Sequence, residues 1–82
     1  MELNHQFDCT WEEYVSMRKK KVLQKYGLFC RWIIKSIVNK QFTNQNILVF
    51  VVDQYHQDKM SIADIGYVYQ AILDRVEICQ ER

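Results

Sequence analysis

The sequence predicts an all-α fold: a small helical bundle in which one long amphipathic helix, with a candidate kink at Gly27, packs against a C-terminal helical hairpin. Three observations carry this. Apolar residues recur at helical spacing in each of the main segments. Pro is absent and Gly occurs only twice, which argues against a turn-rich architecture. Residues able to cap a helix stand at the start of each periodic segment.

Residues 1–9 carry no periodic signal and are expected to form a flexible arm ahead of a single helical domain over 10–82. Thr10-Trp11-Glu12-Glu13 reads as a capping box, in which hydroxyl and carboxylate satisfy backbone N–H groups at a helix start. The apolar period then runs for about 30 residues, ~45 Å of helix if unbroken. Trp11, Val15, Val22, Tyr26, Phe29, Ile33 and Ile37 fall on one face, with Leu23, Cys30 and Ile34 beside them. Because this face keeps its phase across Gly27, a continuous or mildly kinked helix is preferred over a separate pair, with Gly27 as a C-cap the alternative. Thr43 is the N-cap of the next element. Ile47–Val52 is rich in β-branched residues, which would suit a buried strand. Tyr55 nevertheless continues the face of Ile47, Leu48, Val51 and Val52 at helical spacing, and a lone strand would lack a partner, so helix is the reading. Asp58-Lys59-Met60 forms a tight connection, and Ser61 with Asp64 begins the last helix. Its stripe is Ile62, Ile65, Val68, Tyr69, Ile72, Leu73, Val76 and Cys79.

The 82 residues, 49% hydrophobic and 26% charged, have the composition of one small globular domain and not of a disordered tail. No secretory leader or membrane-length apolar run is apparent. The three cysteines are an odd number, which favours free thiols in a cytoplasmic setting over a disulfide framework. His5 and Cys9 are four residues apart and Asp53 and His56 three apart, but a metal centre needs more ligands than these supply. Cys30 and Cys79 fall on apolar faces, as small core residues do. Phosphate loops, nucleophile elbows and zinc-protease motifs are missing. No cofactor, no metal and no enzymatic activity are therefore expected.

Charge is strongly segregated. Residues 18–40 hold eight basic residues and no acid, while 1–17 hold four acids and no base, and 41–82 are net acidic. On a helical wheel Lys20, Lys21, Lys25, Arg31 and Lys35 gather opposite the apolar face, with Leu28 and Trp32 inside the basic sector. These residues, together with Arg18, form a candidate surface for a macromolecular partner, either a protein or nucleoprotein with an acidic surface, or nucleic acid bound through its phosphates. The plain structural alternative is a solvated basic face with Trp32 packed on the hairpin or on a second subunit. Val49 and Phe50 point outside the main stripe of their helix and mark a candidate oligomer or partner interface, so a homo-oligomer is expected. The last helix carries Asp64, Asp74, Glu77 and Glu81 and would repel DNA.

The opening residues Met1-Glu2-Leu3 and Asp8-Cys9-Thr10-Trp11-Glu12-Glu13-Tyr14-Val15 resemble the start of colicin nuclease immunity proteins, which are small helical inhibitors. The resemblance implies a chain that acts by blocking a partner. That family's inhibitory surface is acidic and carries a Tyr-Tyr-Pro segment, whereas this chain has no Pro and a basic helix, and the family is not assigned. The expected function is a non-enzymatic helical regulator or inhibitor, of the kind phages and mobile elements encode. Phosphate binding by the basic helix is the alternative.

Overall fold

A computed structural model of the chain describes residues 10–80, and the arm expected over 1–9 lies outside the described residues. Among the described residues four helices follow one another: α1 (Trp11–Lys25), α2 (Gly27–Val38), α3 (Asn44–His56) and α4 (Ile62–Gln80). The fold is a small all-α bundle, as the periodicity predicts, and Ile47–Val52 is helical.

The helix starts follow the side chains that precede them. Thr10 N–H donates to Glu13 Oε1 at 2.8 Å, and Glu13 N–H donates to Thr10 Oγ1 at 3.2 Å. These contacts hold the Glu13 carboxyl below its usual pKa, the backbone donor contributing most. At α3, Thr43 N–H and its hydroxyl both donate to Asn46 Oδ1, at 2.7 and 3.2 Å.

The expected long helix is two helices. The break falls at Tyr26 (φ −114°, ψ 34°), and Gly27 begins α2 without a positive φ, so it is not a left-handed C-cap. Backbone bonding carries across the break: Tyr26 N–H donates to the Val22 carbonyl at 2.8 Å, and Cys30 N–H to the Tyr26 carbonyl at 2.9 Å. A one-residue interruption bonded on both sides preserves the apolar phase, which is why periodicity alone does not reveal it.

Two later helix ends use the left-handed conformation without glycine. Lys40 (φ 64°) and Asp58 (φ 61°) occupy the position after the C-cap of α2 and α3. Around Lys40, Gln41 N–H reaches the Ser36 carbonyl at 2.8 Å and Lys40 N–H the Ile37 carbonyl at 2.9 Å. Around Asp58, Lys59 N–H reaches the Gln54 carbonyl at 2.9 Å and Asp58 N–H the Tyr55 carbonyl at 3.0 Å. Both are Schellman motifs, which satisfy the last carbonyls of a helix.

α4, with 19 residues and about 28 Å of rise, is the central element, packing against α1, α2 and α3. Its Val68, Ala71, Ile72 and Val76 meet Val22 of α1, Cys30, Ile33 and Ile37 of α2, and Ile47 and Val51 of α3 in one buried cluster, joined by Met60 from the connection. Burying each large aliphatic side chain contributes ~1.5–3 kcal/mol. The stripes fail at their ends: Trp11, Ile62, Leu48 and Cys79 are exposed although their phase places them inward. Trp11 stacks instead on Tyr14, with ring centroids 5.8 Å apart. Among the described residues, no helix is long and apolar enough to cross a membrane.

Candidate functional site: a basic ridge on α1 and α2

The basic residues of 18–40 divide into those used inside the chain and those left outside. Arg18 and Lys19, adjacent in sequence, clamp carboxylates ten residues apart on α4. Arg18 Nη2 donates to Asp64 Oδ1 at 3.0 Å, and Lys19 Nζ donates to Asp74 Oδ2 at 2.6 Å. Arg18 also lies over the Tyr67 ring, 5.0 Å from its centroid.

Asp64 is the node of this network. Its side chain is only 10% exposed. The Tyr26 hydroxyl donates to Oδ2 at 2.6 Å, and Lys25 Nζ approaches the same oxygen at 3.6 Å. The Tyr26 hydrogen bond, followed by smaller help from Ser61, Lys25 and Arg18, holds the Asp64 carboxyl below its ordinary pKa despite burial. A charged carboxylate tolerates such a site only because its oxygens are paired. Asp64 therefore faces α1 and the helix break, where the sequence reading made it a capping acid on a repulsive surface. A signal was present: Asp64, Val68, Ile72 and Val76 form one i, i+4 row, and the last three are core.

What remains outside is a ridge. Lys20, Lys21, Lys25, Leu28, Arg31, Trp32 and Lys35 are all exposed, and Lys40 follows at the end of α2. Among the described residues, Lys20, Lys21, Arg31, Lys35 and Lys40 form no ion pair. Leu28 is 82% exposed in the middle of this stretch. Arg18, which the sequence groups with the ridge, is committed to Asp64 and only partly exposed.

Trp32 serves the interior as well as the surface. Its ring stands edge-on to Phe42 and Phe50, each with centroids 5.4 Å away, and tilted against Phe29 at 6.2 Å. Phe42 and Phe50 are 4.8 Å apart. This is packing on the hairpin, in geometries that aromatic quadrupoles favour. Half of Trp32, 48%, stays open to solvent. The same cluster takes up Phe50, which is partly buried, so on α3 it is Val49, at 64% exposure, together with Leu48 and Tyr55 that remains outward and apolar.

The other candidates are quiet. The Gln57 amide donates to the Asp53 carboxylate at 2.5 Å, and His56 lies beside the Tyr55 ring, centroids 5.4 Å apart. Among the described residues, no three metal-ligating side chains gather. Cys30 is buried, and desolvation pushes its thiol up to about 11, far from the range of a nucleophile at neutral pH. Cys79 is exposed and free. His5 and Cys9 lie outside the described residues. The chain matches no protein-family model, no curated protein and no solved structure.

Proposed function

We propose that the chain is a non-enzymatic helical binding protein, a regulator or inhibitor that docks on a larger partner with an acidic surface through the ridge of α1 and α2. The observation that carries this reading is Leu28, almost fully exposed among Lys21, Lys25, Arg31 and Lys35. An aliphatic side chain ringed by cations suits an apolar recess rimmed by carboxylates, the arrangement of an interface anchor inside a charged rim. Phosphate would use the cations and leave Leu28 in water. The partner is therefore placed first among proteins or nucleoproteins, in a cytoplasmic setting that suits free thiols.

Nucleic acid is the second reading, favoured by the five cations without acidic partners among the described residues. Against it, Trp32 directs part of its ring into the aromatic cluster, which leaves less of it for stacking on a base. Self-association through Leu48, Val49 and Tyr55 of α3 is proposed alongside, since these lie outside the core and are exposed.

The test uses a photo-crosslinking residue in place of Leu28 and a Lys21→Glu/Lys35→Glu variant, with helicity checked by circular dichroism. One protein that crosslinks at position 28, and is lost from the charge-reversed variant and from Leu28→Asp, supports the reading. Fluorescence anisotropy against single- and double-stranded DNA and RNA separates the alternative. Micromolar binding that falls linearly with salt on a log–log plot, and that Leu28→Asp leaves intact, overturns the protein reading in favour of phosphate contacts.

A further inference from the structure

Beside the ridge lies a groove that shares Arg31 with it but otherwise lies outside the partner reading. It is a shallow, open groove formed where α1 and α2 meet the C-terminal half of α4, with a volume of about 310 Å³. Leu23, Cys30 and Ile34 supply apolar walls, Gly27 leaves part of the wall bare, and Arg31, Arg75 and Cys79 complete the lining. A Cβ built on Gly27 meets nothing within 4 Å, so the space beside α2 is open at that point. The volume stands at the lower end of the range for small-molecule sites. The two arginines come from different helices, and among the described residues neither has an acidic partner.

Both arginines are exposed at the rim of the groove, and an anionic head group would accept charge-assisted hydrogen bonds from them. The walls, by contrast, offer little to a polar ligand, and their burial rewards an alkyl chain. We propose that this groove binds a medium-chain aliphatic carboxylate, its head held by Arg31 and Arg75 and its chain laid over Leu23 and Ile34.

Cys79 provides a direct readout, because it is exposed and lines the groove, whereas Cys30 is buried. The experiment measures N-ethylmaleimide labelling of Cys79 on the intact protein, located by peptide mass spectrometry, with and without monomeric decanoate. Calorimetry with the same probe gives affinity. Decanoate is expected to slow labelling and to bind with a Kd of about 1 mM or tighter. The neutral analogue decanol, and the Arg31→Gln/Arg75→Gln variant with decanoate, should each bind at least ~10-fold more weakly. Gly27→Leu, whose Cβ meets nothing within 4 Å, places a branched side chain into the groove and should abolish binding, with the helical spectrum as the check on folding. The proposal is overturned by unchanged Cys79 labelling, by equal binding of decanol and decanoate, or by undiminished binding in the double arginine variant. Arg31 is common to both sites, so the two readings are separated by Leu28, which does not line the groove: Leu28→Asp should leave decanoate binding unchanged, and failure of decanoate binding leaves the partner reading standing.

Discussion

Asp64 offers the sharpest test of how this fold is held together. Asp64→Ala removes the acceptor for the Tyr26 hydroxyl at 2.6 Å and for Arg18 at 3.0 Å, and the more distant Lys25 contact. A hydroxyl left without its partner in a part-buried site costs ~1–2 kcal/mol. Arg18 adds ~1–2 kcal/mol, since its Nε is already buried without a hydrogen-bond partner and its counter-ion would be gone. Lys25 is exposed, and its loss is within ~0.5 kcal/mol of nothing. The expected destabilisation is ~2–4 kcal/mol, a large share of the margin of a small domain. Asp74→Ala breaks an ion pair whose side chains are 27% and 39% exposed, and should cost only ~0.5–1 kcal/mol. Asp64→Asn should fall between, because its amide oxygen still accepts from Tyr26. Urea unfolding followed by far-UV circular dichroism measures all of these, with unchanged slope as the two-state check. A cost for Asp64→Ala within ~0.5 kcal/mol of that for Asp74→Ala would refute the claim that this buried node ties α1 and the helix break to α4.

Further outcomes follow from the same structure. Asp64 and Asp74 both titrate below the ordinary 3.8. For Asp74, burial pushes upward, and hydrogen bonds from Lys19 and Gln70 outweigh it. Their stabilisation should therefore be complete above the unfolded value and be lost as pH falls below it, through the lowered folded values, and Asp64→Asn should flatten an acid titration of stability there. Gly66 lies exposed within α4, and a Cβ there meets nothing within 4 Å, so Gly66→Ala should raise stability by ~1 kcal/mol, a Tm gain of ~4–8 °C. Asp58→Gly should likewise stabilise, by up to ~1 kcal/mol in urea unfolding, because it relieves a left-handed φ of 61°. If α3 is a self-association surface, the native chain should sediment as a dimer that dissociates in Val49→Asp, and a monomeric native chain at high concentration would remove that proposal.

Local and periodic features are legible in the chain without its fold. Thr10 and Glu13, and Thr43, mark helix starts because capping depends on residues within one turn. Val68, Ile72 and Val76 are legible as core because a helix repeats every 3.6 residues whatever it packs against. The exposure of Lys20, Lys21, Leu28 and Lys35 follows from the same wheel. Less visible was the break at Tyr26, a single residue that leaves the apolar phase intact. The left-handed ends at Lys40 and Asp58 carry no glycine to announce them.

Which charges are spent inside the molecule depends on how the helices pack. Arg18 and Lys19 look like their neighbours Lys20 and Lys21 along the chain, yet the first two reach Asp64 and Asp74, 46 and 55 residues away. Trp32 shares its surface with Phe42 and Phe50 for the same reason. A pairing energy depends on distance in space and on shielding from water, and a helical wheel contains neither. The periodic pattern states which face of a helix is apolar or basic. Which residues of that face stay free to meet a partner depends on where the central helix α4 lies.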